Sequence, residues 1–116
     1  MQLTKERAIT LHRRMWRWIG LKTLREKRCV EKHEWFERFK LKRISCLCYC
    51  CEYAQQIADN SSLLCKACPV DWGVRTCTAP ERGLYDLWYD AVKDRDWQEA
   101  GKLALQIAEL PERKEI

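Results

Sequence analysis

The sequence is short of the residues that bend or loosen a chain, with four glycines and three prolines among 116 positions. That scarcity fits a folded helical protein and argues against a disordered tail. No run of about 18 apolar residues occurs, so no membrane-spanning helix is expected. The start, Met1-Gln2-Leu3-Thr4-Lys5-Glu6-Arg7, lacks an apolar stretch behind its charges, and no secretory leader is expected either. Histidine is also scarce, with only His12 and His33. There is no His-Glu-x-x-His, no glycine-rich phosphate loop and no Gly-x-Ser-x-Gly elbow. His33-Glu34 is a fragment of nuclease and deaminase signatures. A zinc deaminase, however, needs His-x-Glu and a later Pro-Cys-x-x-Cys, and here Pro69 follows its cysteine pair. The chain is therefore not expected to be an enzyme or to take a small-molecule substrate, and each histidine is expected to be a satisfied, partly buried helix residue.

About half of the residues are apolar and a third are charged, enough for one modest core. The charge is divided. Residues 1–45 hold 14 Lys or Arg against 5 Asp or Glu, net +9, whereas residues 46–116 hold 8 against 12, net −4. The basic front suits a phosphate backbone or an acidic protein face, or is the solvated side of amphipathic helices.

Three helical tracts are legible. From Thr4 to about Gly20, Ala8, Ile9, Leu11, Met15, Trp16, Trp18 and Ile19 recur at helical steps, with Thr4 as N-cap. Arg7, Arg13, Arg14 and Arg17 form a basic stripe on the other side, arginine being suited to bidentate phosphate or carboxylate contacts. Leu21 to Arg28 either continues the helix or loops out. Glu31 to Leu41 reads as a second helix with Trp35, Phe36 and Phe39 at burial spacing, although aromatics among basic residues also stack on single-stranded bases. The last third reads as a hairpin. Leu84, Leu87, Trp88 and Ala91 mark one helix, Asp94-Arg95-Asp96 the break, and Asp96 with Glu99 a capping box. Trp97, Ala100, Leu103, Ala104, Ile107 and Ala108 line a second helix that Pro111 stops.

Eight cysteines without a secretory route read first as metal ligands and second as disulfides. Cys48/Cys51 and Cys65/Cys68 are two Cys-x-x-Cys pairs separated by 13 residues. Each pair can form a knuckle, and two knuckles complete a tetrahedral site for one structural Zn2+ with no open position for catalysis. Cys77 is a rival for Cys68, and Cys46 and Cys50 offer a shifted register at the first knuckle. Cys29 reads as a small buried hydrophobe. Asn60-Ser61-Ser62 matches a glycosylation acceptor but reads as a polar loop. The expected fold is thus mainly α. One zinc-stabilised domain spans 1–116, with a basic helical part (1–45), a zinc-knuckle module (46–79) and a C-terminal helical hairpin (80–116).

Several pieces stand in one order along the chain: Ala8-Ile9 followed by His12-Arg13 and Met15-Trp16-Arg17-Trp18-Ile19, Cys48-Tyr49-Cys50-Cys51-Glu52-Tyr53-Ala54, Cys65-Lys66-Ala67-Cys68-Pro69 with Asp71-Trp72, Cys77, Leu84-Tyr85-Asp86-Leu87-Trp88, and Leu103 to Pro111. In this order they resemble a group of short cysteine-rich proteins encoded by bacteriophages and prophages of Gram-positive bacteria. Cys46 and Cys50 depart from that pattern. The resemblance implies a mobile-element origin and a host-cytoplasm location, and it brings no established activity. Small phage proteins without catalytic apparatus commonly bind a host machine, including transcription complexes and CRISPR effectors, which is a class-level expectation only.

The expected function is accordingly a zinc-binding interaction protein that binds and inhibits or redirects a host protein or nucleoprotein complex, an anti-CRISPR or other anti-defence inhibitor being one example. Arg13, Arg14 and Arg17 are the expected partner-binding anchors. The alternative is a nucleic-acid-binding zinc protein in phage or host transcription regulation. Against it stands the acidic hairpin, whose Asp86, Asp90, Asp94, Asp96 and Glu99 would repel a duplex lying across both halves.

Overall fold

Apolar residues at three- and four-residue steps build a long first helix, α1, from Lys5 to Glu26. The computed structural model describes residues 4–40, 49–50, 53–54, 68–70 and 83–112. Thr4 caps α1, its hydroxyl accepting from the amide of Arg7 at 3.1 Å. The helix does not stop at Gly20. It runs on to a left-handed cap at Lys27 (φ 53°), whose amide donates to the Thr23 carbonyl. Three more helices follow: α2 (Lys32–Arg38), α3 (Leu84–Lys93) and α4 (Trp97–Ala108). Among the described residues the protein is mainly helical, and the one extended pairing is an isolated antiparallel bridge between Val70 and Glu112. No described helix is long and apolar enough to cross a membrane.

The core forms around α1. Ala8, Ile9, Leu11, Met15, Trp16 and Ile19 are buried with Ala100, Leu103, Ala104, Ile107 and Ala108 of α4. The contact between α1 and α4 is the most extensive among the described helices. Two glycines permit it: a methyl group at Gly20 would lie 2.9 Å from the Gly101 carbonyl oxygen, and one at Gly101 would lie 2.5 Å from Leu24 Cγ. His12, expected to be partly buried, is fully buried and its Nε2 lies 3.0 Å from the Ile107 carbonyl. Because a carbonyl only accepts, that nitrogen carries the proton and the ring fastens α1 to the end of α4.

The hairpin forms with half of the expected capping box, because the Asp96 amide donates to the Ala91 carbonyl at 2.9 Å and not to the Glu99 side chain. Asp96 caps α4 by accepting from Glu99 N at 3.2 Å, and Arg95 (φ 59°) makes the turn. Trp88 and Ala91 of α3 face the core, where Trp88 meets Trp16 edge to face at 5.0 Å. Leu87, expected on the same face, is instead 36% exposed, because it lies about 100° round the helix from Trp88.

Helix α2 is shorter than the expected Glu31–Leu41 tract. It ends at Arg38, with Phe39 as its cap and Lys40 left-handed (φ 53°); Leu41 lies outside the described residues. At seven residues it cannot hold itself and depends on neighbours. Arg28 clamps its first turn, with Nη1 and Nη2 donating to the two Glu34 oxygens at 3.1 and 2.8 Å, and Glu34 accepts from Glu31 N at 2.8 Å. Trp35 Nε1 donates to the buried Tyr49 hydroxyl at 2.8 Å, and Phe36 packs on the Tyr49 ring.

Candidate functional site

Leu21 at 53% and Phe39 at 42% are two of the four large hydrophobic side chains exposed among the described residues. They belong to a groove of about 510 Å3 between α1 and α2. On α1 its lining is Arg7, Leu11, Arg14, Arg17, Trp18 and Leu21; on α2 it is Trp35 and Phe39. The pattern follows from helix geometry: residues 7, 11, 14, 18 and 21 succeed one another at steps of four and three, forming one stripe along the helix. Arginine and apolar residues alternate along it from Arg7 to Trp18, and Leu21 ends the stripe.

Aromatic packing fixes the floor. Trp18 meets Trp35 at 5.9 Å and Phe39 at 5.9 Å, and Trp35 meets Phe39 at 4.5 Å. Trp35 is buried and tied to Tyr49, so this wall is anchored. Phe39, whose spacing suggests core, is the rim of the groove, because α2 ends beside it and nothing described covers it.

The basic stripe divides. Arg7, Arg14 and Arg17 line the groove, are exposed and form no ion pair among the described residues. The other cations of α1 are engaged: Lys5 with Glu112 at 2.9 Å, Lys22 with Glu26 at 2.7 Å and Arg25 with Glu26 at 3.4 Å. Arg13 does not join the groove. Six residues from Arg7 turn it about 240° round the helix, and its Nη2 donates to the Leu110 carbonyl at 3.4 Å. Of the three expected anchors, Arg14 and Arg17 are therefore brought together and Arg13 is set apart. Arg7 takes its place. The signal that would have found this is the step of four and three that sets Arg7 and Arg14 in line with Leu11 and Trp18.

Electrostatics at the end of α1 are dominated by one cluster. Hydrogen bonds from Lys22 and then Arg28 hold the Glu26 carboxyl down at about 2, and Arg28 likewise lowers Glu34. Burial pushes the Tyr49 phenol and the Cys29 thiol up. Cys29 is half-buried, not the buried hydrophobe its sequence suggests, since it sits in the exposed connection between α1 and α2.

Of the expected zinc ligands only Cys68 is described, and it is buried in the core cluster beside Val70. Cys48, Cys51, Cys65 and Cys77 lie outside the described residues, as does Cys46. Cys50 is fully buried. Among the described residues no group of three or more His, Cys, Asp or Glu side chains could hold a metal ion. No family model, curated protein or solved structure matches the chain.

Proposed function

We propose that this chain is an interaction protein that binds a host protein or nucleoprotein complex through the arginine-bearing face of α1 and inhibits or redirects it. A mobile-element origin and an anti-defence role, anti-CRISPR activity among the options, belong to this reading. So does one structural Zn2+ on Cys48, Cys51, Cys65 and Cys68. The observation that carries it is the groove: three guanidinium groups without ion pairs among the described residues stand round an apolar floor that includes two exposed side chains. Exposed arginine beside aromatic surface is the composition of interface hot spots. The anchors in this reading are Arg7, Arg14 and Arg17, while Arg13 serves the packing of α1 on the Leu110 segment.

A nucleic-acid binder is the second reading, favoured by the net +9 of residues 1–45. It is weakened by the floor, because single-strand binders offer free ring faces for successive bases. Here Trp35 is buried and the rings of Trp18, Trp35 and Phe39 are turned against one another.

Affinity capture from host lysate tests the choice, comparing the native chain with the triple variant Arg7→Glu/Arg14→Glu/Arg17→Glu. The expected result is a protein captured by the native chain and lost by the variant. Capture that survives charge reversal would remove this face from the function, and nucleic acid as the sole captured species would establish the second reading.

A further inference from the structure

The shape and charge of the groove define its occupant more narrowly, on the assumption that the α1 face is the binding surface. The stripe from Arg7 to Leu21 spans about 21 Å at about 1.5 Å per residue, which is the length of about four helical turns. Its apolar members, Leu11, Trp18 and Leu21, line a trough together with Trp35 and Phe39. Such a trough receives the apolar face of an amphipathic helix, read as anchors at i, i+3, i+4 and i+7. Arg7, Arg14 and Arg17 recur along it without a carboxylate among the lining residues. A helix lying there would meet positive charge on its flanks along most of its length.

We infer that the groove between α1 and α2 binds an acidic amphipathic helix of a partner protein, its Leu or Phe anchors packing on Trp18, Leu21 and Phe39 and its Asp or Glu side chains pairing with Arg7, Arg14 and Arg17. Charge complementarity selects this occupant over a basic helix. Leu11 and Leu21 offer apolar contact and no ring face, which favours aliphatic anchors over nucleotide bases. The arginines supply bidentate carboxylate contacts and steer the encounter, while the apolar floor supplies the contact that persists when salt screens the charges.

The test uses the full chain and a synthetic peptide of about 15 residues, capped at both ends, with Leu and Phe at helical anchor spacing and Glu between them. Binding is followed by heteronuclear NMR and calorimetry. A basic twin with Lys for Glu and a single-stranded oligonucleotide of similar length serve as comparisons. The acidic peptide should bind, shifting the Trp18 indole and Leu21 resonances. Its affinity should fall about tenfold or more in Leu21→Glu, a buried-anchor loss, and in Arg14→Glu/Arg17→Glu. It should also fall as salt rises from about 0.1 M to about 1 M, where the screening length drops from about 10 Å to about 3 Å. Because Leu21, Arg14 and Arg17 are exposed, these variants should keep the native helical circular dichroism. Tyr89→Glu on α3, at a site of similar exposure (52%), should leave affinity unchanged.

Equal binding of the basic twin would overturn the charge assignment. Tighter binding of the oligonucleotide, or self-association abolished by Leu21→Glu, would overturn the occupant in favour of nucleic acid or a second copy. Should the acidic peptide fail while lysate capture still depends on the arginines, the helix assignment falls and the interaction function stands; should capture also be independent of them, both fall.

Discussion

Replacing Gly20 by alanine should destabilise the protein, against the usual sign of that substitution. In the interior of an ordinary helix the change gains about 1 kcal/mol, since alanine surrenders less backbone entropy than glycine. Here the new methyl would stand 2.9 Å from the Gly101 carbonyl oxygen and 2.9 Å from both Cγ and Cδ2 of Leu105. Leu105 is half-buried and can swing away. The carbonyl belongs to the backbone of α4 and cannot, so α1 and α4 must part by a few tenths of an ångström along the most extensive contact among the described helices. Overpacking of this kind costs about 1–3 kcal/mol, which outweighs the propensity gain and leaves a net loss of about 1 kcal/mol. For a chain of this length that lowers Tm by about 3–6 °C. Thermal and urea denaturation of Gly20→Ala and Gly20→Ala/Leu105→Ala measure it, and the second change should not rescue the first, because the carbonyl clash remains. Gly101→Ala makes a contrast: its methyl meets mainly Leu24, at 2.5 and 2.6 Å, with the Gly20 carbonyl further off at 3.2 Å. Trimming Leu24 should therefore relieve part of that clash. A rise in Tm for Gly20→Ala would refute the close approach of α1 and α4.

The carboxylates at the end of α1 make stability depend on acid. Glu26, held at about 2 against an ordinary value of 4.5, and Glu34, also lowered, stabilise the fold when ionised. That contribution is complete above the ordinary value and is lost as pH falls from there toward about 2. Urea midpoints should accordingly drop over that range, and Glu26→Gln should flatten the drop. Lys27→Gly should stabilise by about 0.5–1 kcal/mol, since a left-handed cap (φ 53°) strains any residue with a Cβ, and a lower urea midpoint would contradict it. The proposed zinc staple predicts one ion per chain by native mass spectrometry, lost on chelation together with cooperative unfolding. Structural zinc contributes about 10–16 kcal/mol in small peptides, as much as the whole stability of a domain. Cys65→Ser should reproduce the loss, and an unchanged transition in the chelated chain would refute the staple.

Helix existence was legible because it rests on local signals: the apolar period of α1, the Thr4 cap, the break at Asp94 to Asp96 and the stop before Pro111. What escaped the sequence depends on partners. Gly20 resembles a helix end and is a contact point for Gly101, which only the packed pair reveals. His12 sits among charged neighbours and is buried, because its proton has a carbonyl waiting 95 residues away. Arg13 and Arg14 are adjacent in sequence and about 100° apart on the helix, so one ties down the chain after α4 while the other stands over the groove. Phe39 shares its spacing with core aromatics, and only the early end of α2 exposes it. The basic stripe was thus visible as composition. Its division into an anchoring arginine and three uncommitted ones was not.

The two halves of the proposal, a metal staple and a binding groove, meet at Tyr49. A seven-residue helix has little stability of its own, so the position of Trp35 and Phe39 depends on what grips α2 from outside. Besides the Trp18 ring contacts, one grip is the Arg28–Glu34 pair, whose side chains are 42% and 23% exposed and which is weakened by salt. The other is buried: the Trp35 indole donating to the Tyr49 hydroxyl, with Phe36 packed on the same ring. Tyr49 is flanked in sequence by Cys48 and by Cys50 and Cys51. A staple that fixes Cys48 and Cys51 would fix Tyr49 between them, and through it the α2 wall of the groove. Removing the metal should then loosen the wall formed by Trp35 and Phe39 more than the wall formed by α1, whose packing on α4 runs through Gly20, Gly101 and His12.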